Sequence, residues 1–397
     1  MKQKFIHVSV MARFIVALSI ICIVSSLFPI LAIPVEASPG WYDTSWNKRA
    51  PVVIDNSGGG ALTNYQAVIL VTYDSDMQTD FDDLRFTDSD EVTELNYWIE
   101  WKIDSVQAQV WVKVPYISAS SIKTIYMYYG NPTAVSASNG INTFIIFDDF
   151  EDGDVSDWYT VAGTPAISPS MEQAYQGSYS IKLTTTGEDY WVRKDIPQTI
   201  TENYIIEFAV YQTGNNLALY SYGTGYFIGY FFAPSNAGCS LTIIDPDPGI
   251  ECVGDTFTED TWQWYYTVVN LAPIPNTFSF SLQGGGLYGP YNTSGDGQDF
   301  AFFQLGTKNY GGGGGYFDLF RVRKYASPEP TISVGEEESK PLPAPTPLPS
   351  SQPSPPGEPV GGEVYPVNKV SLITPWIALA AIILAGGVYL IRRRVHS

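Results

Sequence analysis

The sequence predicts an all-β protein: two consecutive β-sandwich domains followed by a C-terminal transmembrane helix. Three observations carry that expectation. Apolar residues alternate with period two through the middle of the chain, as where Val110, Val112 and Val114 point one way and Trp111 and Lys113 the other. Turn-forming clusters such as Asn56-Ser57-Gly58, Gly130-Asn131-Pro132 and Asn139-Gly140 punctuate those runs, and no helical run of useful length intervenes. Residues 370–391 then form an uncharged stretch ending in Arg392-Arg393-Arg394. As a helix this stretch is about 33 Å long, enough to cross a bilayer.

Taken from the start, residues 1–37 read as a secretory signal peptide. Lys2, Lys4 and Arg13 precede an uncharged run over 14–33, and Val35 and Ala37 are small residues at the −3 and −1 positions of a cleavage site. An uncleaved signal anchor is the alternative, and either exports the rest of the chain. Residues 336–369 hold ten prolines, a density that blocks helix and sheet and stiffens the segment toward polyproline II. They are expected to form a stalk below the transmembrane helix at 370–391. The arginines of the tail, 392–397, keep that end cytoplasmic. The expected protein is therefore a single-pass membrane protein with its body outside the cell.

Composition narrows what that body does. Residues 38–369 carry 15 Lys and Arg against 40 Asp and Glu, and the whole chain has a formal charge of −20. Phosphate backbones are repelled by such a surface, so no nucleic-acid partner is expected. Both histidines, His7 and His396, lie in the terminal segments. A Ser-His-Asp triad, a Cys-His pair and a His-ligated metal are thereby excluded from the body. The glycine runs at 284–286 and 311–315 lack the Lys-Ser/Thr and helix that a phosphate loop needs, and read as turns.

The first block, residues 41–140, contains Trp46-Asn-Lys-Arg49, Asp83-Leu-Arg-Phe-Thr-Asp88, Leu95-Asn-Tyr-Trp-Ile-Glu100, Val110-Trp-Val-Lys-Val-Pro115 and Ile125-Tyr-Met-Tyr-Tyr-Gly-Asn-Pro132. In that order these strings resemble an uncharacterised "domain of unknown function" of secreted bacterial and archaeal proteins. The resemblance implies a surface protein and no particular activity. The second block, 144–335, opens with Phe147-Asp-Asp-Phe-Glu-Asp-Gly153 and closes with Tyr316-Phe-Asp-Leu-Phe-Arg-Val-Arg-Lys324. It resembles concanavalin A/laminin G-like jelly rolls, a superfamily of lectins, glycan-binding modules and some glucanases. Fold alone transfers no function.

Candidate sites follow, each beside a plainer reading. Asp148, Asp149, Glu151, Asp152 and Asp154 crowd one loop. Calcium takes six to eight oxygen ligands and suits such a loop. Strict alternation places Asp318 in phase with Tyr316, Phe320 and Val322. A structural Ca2+ held by Asp149, Glu151 and Asp318 is expected, as in related jelly rolls. The alternatives are a solvated loop and an Asp318 that pairs with arginine or caps backbone amides. Cys239 and Cys252, the only cysteines of the body, read as a disulfide or as two buried thiols. Asn292-Thr293-Ser294 is a glycosylation sequon. Trp262, Trp264 and Tyr265 are candidate sugar-stacking rings, with core packing as the competing role.

Without histidine, the enzyme class to weigh is glycoside hydrolysis, which needs two carboxylates. The Glu-x-Asp-x-x-Glu string of jelly-roll glucanases is missing, so no catalysis is expected. The function expected is adhesion or recognition, with an extracellular glycan or cell-envelope component as partner. A structural envelope or spacer protein is the alternative.

Overall fold

The computed structural model describes residues 40–341 apart from 164–165, 185–189, 214–216, 224–225, 233–240, 246–248, 254–259, 272–275, 283–285, 293–299 and 308–313. The first strands are β1 (Lys48–Asn56), β2 (Leu62–Thr72), β3 (Arg85–Thr87), β4 (Glu94–Leu95), β5 (Tyr97–Ile103), β6 (Gln107–Ile117) and β7 (Ser121–Tyr129). A one-turn helix, α1 (Gly140–Thr143), leads into β8 (Ile146–Asp148), β9 (Tyr159–Ala162), β10 (Ala166–Ser170), β11 (Ser180–Thr184) and β12 (Tyr190–Ile200). Then come β13 (Tyr204–Gln212), β14 (Leu217–Gly223), β15 (Tyr226–Phe232), β16 (Leu241–Asp245), β17 (Gly249–Val253) and β18 (Trp262–Asn270). The last are β19 (Thr277–Leu282), β20 (Tyr288–Asn292), β21 (Phe300–Thr307), β22 (Gly314–Lys324), β23 (Thr331–Val334) and β24 (Glu338–Ser339).

These strands build four sheets, so the all-β expectation holds. The first sandwich pairs sheet β23-β1-β7-β3-β4, with β24 also on β1, against the three-stranded sheet β2-β6-β5. The second pairs sheet β10-β11-β22-β13-β18-β19-β20, with β8 on β22, against β17-β16-β15-β14-β21-β12-β9. Three buried clusters show how the sheets stack. Val52, Ile69, Val110, Val112 and Ile125 fill the first sandwich. Ile206, Phe208, Tyr265, Phe303, Phe317 and Phe320 fill the second. Between the sandwiches Trp98 and Trp111 meet Phe144, Phe147 and Leu319, with Trp264 against them. The strand β13, YIIEFAVYQ, is buried on both faces for this reason: one face meets its own sandwich, the other meets the neighbour.

The junction between the two blocks is a packed joint. Asn139 caps α1 by accepting from the Asn142 amide at 2.9 Å. A side chain at Gly140 would overlap the Phe147 ring, which stacks on Phe144 at 5.5 Å. Within the first sandwich, Asp83 is fully buried and its Oδ2 accepts from the amides of Gly130 (2.7 Å) and Asn131 (3.1 Å). The Asp-Leu-Arg-Phe-Thr-Asp and Tyr-Tyr-Gly-Asn-Pro strings thus meet in space.

The expected end of the second domain at 335 moves. After β22 the chain crosses back, and β23 pairs antiparallel with β1 through Val52–Val334 and Asp55–Thr331. Strand β24 continues along β1, with Arg49 opposite Glu338, and the Lys340 amide donates to the Asn47 carbonyl. Residues 331–340, assigned by sequence to the jelly roll and stalk, complete the first sandwich. The leader at 1–37, most of the stalk and the apolar stretch at 370–391 lie outside the described residues. No helix among the described residues is long and apolar enough to cross a membrane.

Candidate functional site

A cleft of about 680 Å³ opens where the two sandwiches meet. The first sandwich lines it with Glu100 and Trp101 of β5 and Gln109 and Trp111 of β6; the second contributes Tyr175, Gln176, Glu207, Trp262, Trp264 and Arg321. Neither sandwich holds the site alone.

Arg321 forms its floor. The guanidinium carbon lies 4.9 Å from the Trp111 ring, 5.1 Å from Trp264 and 5.4 Å from Phe144. Its Nε reaches Glu207 Oε2 at 2.6 Å, within the second sandwich, and Nη1 lies 2.9 Å from Glu100 Oε1, across the joint. Charge compensation and ring faces together offset the cost of desolvating this cation. Burial alone would push the Glu207 carboxyl up, but Arg321 and Arg323 outweigh it and hold Glu207 below the usual carboxylate value. Glu100 Oε2 also accepts from the Trp111 indole at 2.6 Å and from Gln109 Nε2.

A run of rings forms one wall. Tyr211 lies 5.6 Å from Trp262, Trp262 lies 5.9 Å from Tyr175, and Tyr175 stacks on Trp264 at 5.6 Å and 19°. Tyr175 is 43% exposed, so its ring stands at the mouth. The Trp262 indole N–H is buried with no acceptor among the described residues.

The loop carrying Tyr175 hangs on two carboxylates. Asp318 Oδ2 accepts from the amides of Tyr175 (2.7 Å) and Gln176 (3.1 Å), and Oδ1 from Leu319 (2.6 Å). Glu151 Oε1 accepts from Ser178 (2.8 Å) and Tyr179 (2.7 Å). Gly177 sits between at φ +70, where a side chain would run into the Glu151 carboxylate. Gln176 Nε2 then donates to the Glu100 carbonyl, fastening the loop to the other sandwich.

These contacts revise several sequence expectations. Asp318 does not share a face with Phe320. A bulge at Leu319 (φ +49) shifts the register between Glu207 and Ala209, so Phe317, Phe320 and Val322 enter the core. Asp318, Leu319 and Arg321 turn toward the first sandwich. The trio Asp149, Glu151 and Asp318, expected to hold calcium, is engaged with backbone amides. Both Asp318 oxygens and Glu151 Oε1 are committed to amides, Asp149 accepts from the Glu151 amide at 3.4 Å, and the three are not gathered within reach of one ion. The one group of carboxylates so gathered among the described residues is Asp74, Asp76 and Glu337, and Lys48 bridges Asp76 and Glu337.

Of the expected sugar-stacking rings, Trp262 and Trp264 line the cleft, whereas Tyr265 points the other way. It is 1% exposed and stacks on Phe208 at 5.2 Å, in the jelly-roll core. Cys239 lies outside the described residues, so its pairing with Cys252 does too. Asn292 is exposed at the end of β20. Sequence reasoning missed Tyr175, Gln176, Glu100, Gln109, Glu207 and Arg321. One signal pointed to one of them: Glu207 is the single charge in the otherwise apolar strand β13.

The fold defines a protein of two stacked antiparallel sandwiches with a composite cleft. A family model described as "Domain of unknown function (DUF2341)" matches residues 80–161, a span that holds Glu100, Trp101, Gln109 and Trp111. No curated protein matches the sequence. Among solved structures, "Cellulose induced protein, Cip1" is similar over 45% of this chain and 97% of its own, at 15% identity and a TM-score of 0.34. A CBM22-1 xylan-binding domain from Paenibacillus barcinonensis is similar over 46% and 96%, at 16% identity and 0.24. A sialidase is similar over 53% of this chain and 20% of its own, at 10% identity and 0.35. At these scores the functional reading rests on the chain's own geometry.

Proposed function

We propose that this protein binds a glycan in the cleft between its sandwiches and presents that cleft outside the cell. The observation that supports it is the stacked pair Tyr175–Trp264 at the mouth, beside half-buried Trp101 and above the polar floor of Glu100, Glu207 and Arg321. Exposed ring faces take the C–H faces of sugars, and fixed amides and carboxylates beside them take hydroxyls. Binding is favoured over hydrolysis because both cleft carboxylates are tied to Arg321. Glu207, held below its usual value, is a poor proton donor at neutral pH.

Display on the cell surface follows from the leader at 1–37, the proline-rich segment and the apolar stretch at 370–391. A glycan array probed with the full-length protein tests the binding: saturable signal that disappears in Trp264→Ala supports it. Silence across diverse glycans leaves a spacer role in the envelope. Protease treatment of intact cells tests the display, since a body outside the membrane is shaved off.

A further inference from the structure

Every cation at the cleft is already neutralised. Arg321 is paired with Glu100 and Glu207 and is wedged among Trp98, Trp111, Phe144 and Trp264. Arg323, next along, reaches Glu207 at 3.4 Å and Glu329 at 3.3 Å. Among the cleft-lining residues there remain two carboxylates against one guanidinium.

The glutamines point the same way. Gln109 Nε2 donates to the Glu100 carboxylate and Gln176 Nε2 to the Glu100 carbonyl, partners that only accept. Each amide is thereby fixed with one N–H inward, leaving its Oε1 and its second N–H. Among the described residues, the ion pairs of Glu207 run through Oε2. The spare polar atoms of the cleft are therefore mixed, acceptors on the glutamines and Glu207 beside donors such as the Trp262 indole N–H. Such a set suits hydroxyls, which both donate and accept.

We infer that the cleft takes a neutral, hydroxyl-rich oligosaccharide and rejects sugars that carry a carboxylate, such as uronates and sialates. This rests on the glycan-binding reading above and names the class of sugar. Hydroxyls exchange hydrogen bonds with Gln109, Gln176 and the glutamates, while a ligand carboxylate meets a lining of two carboxylates against one guanidinium. Like-charge juxtaposition of this kind discriminates by repulsion. The acidic body adds to it at longer range.

Calorimetric titration of the full-length protein tests it with matched probes: cellohexaose and the same oligosaccharide oxidised at C6 to the uronate, and xylohexaose with and without a glucuronate branch. The expected result is binding of a neutral probe and at least about tenfold weaker binding of its acidic partner, the gap widening as salt is lowered. Gln109→Lys, a change at a half-exposed rim position, should narrow the gap severalfold. Equal or tighter binding of the acidic partner overturns the inference and leaves glycan binding standing. So does a gap that ignores both salt and Gln109→Lys. Binding of no probe, neutral or acidic, overturns the glycan reading itself.

Discussion

Asp318 holds the main chain of Tyr175 in place. Its Oδ2 accepts the Tyr175 amide at 2.7 Å from a fully buried position on β22, and the Tyr175 ring stacks on Trp264 across the cleft mouth. A carboxylate of the middle layer thus sets the position of a ring at the surface. The loop owes its shape to this carboxylate and to Glu151.

Burial pushes the Asp318 carboxyl up to about 7, against three backbone amides that lower it. A raised acid stabilises the fold fully below its unfolded value near 3.8 and loses that contribution as pH rises through about 7. Denaturant unfolding of the wild type and Asp318→Asn across this window should show the wild type falling relative to the variant. Above it the two curves should run parallel. A constant difference from pH 4 to 8 would remove Asp318 as the source.

Millimolar calcium should leave the melting midpoint unchanged, because Asp318 Oδ2 and Glu151 Oε1 already accept from the amides of residues 175–179 and Asp318 Oδ1 accepts from Leu319. A midpoint that climbs with calcium would restore an ion to this loop.

Neighbouring rings on β18 should separate binding from stability. Tyr175→Ala should weaken glycan binding about tenfold or more with a small change in stability, and Trp264→Ala should weaken binding as much while also loosening the joint it packs against. Tyr265→Ala should cost about 3–5 kcal/mol of folding free energy, as large-ring truncations in cores do. Titration and urea unfolding of the three variants give both numbers. Tyr265→Ala with intact stability would contradict its place in the core.

Arg321→Met should destabilise the protein by about 3–5 kcal/mol, since it leaves Glu100 without its counter-charge and Glu207 with Arg323 alone. Because those carboxylates belong to different sandwiches, scanning calorimetry should show one transition becoming two. A single transition at the wild-type temperature would mean that the joint does not depend on this ion pair.

A chain ended at residue 330 should lose protection in β1, whose outer edge β23 and β24 cover. Hydrogen exchange should quicken there and stay slow in β14 and β21. Unchanged exchange in β1 would show the returning strands to be dispensable.

The sandwich layers were legible because alternation is a local signal. Val110, Val112 and Val114 do face the first core, with Trp111 on the far side. Trp111 is buried as well, but its cover comes from Phe144 and Leu319 in the other sandwich, which alternation along β6 does not show. Alternation also misplaced Asp318, because one extra residue at Leu319 inverts the phase and no local residue type announces it. The pairing of Val334 with Val52 joins residues far apart in sequence, and four short strand residues beside prolines gave no hint of a partner. In the cleft, tryptophans on β18 stood out, but their partners on β5 and β6 needed the tertiary structure.

The return of β23 and β24 to β1 gives the molecule a particular mechanics. Residue 340 leaves beside Asn47, at the N-terminal end of β1, and not from the jelly roll. A pull exerted on the chain beyond 341 therefore strains the β24–β1 and β23–β1 seams first. The jelly roll is entered and left through the neighbour that bears the tension, so it hangs from the strained module as a side-load.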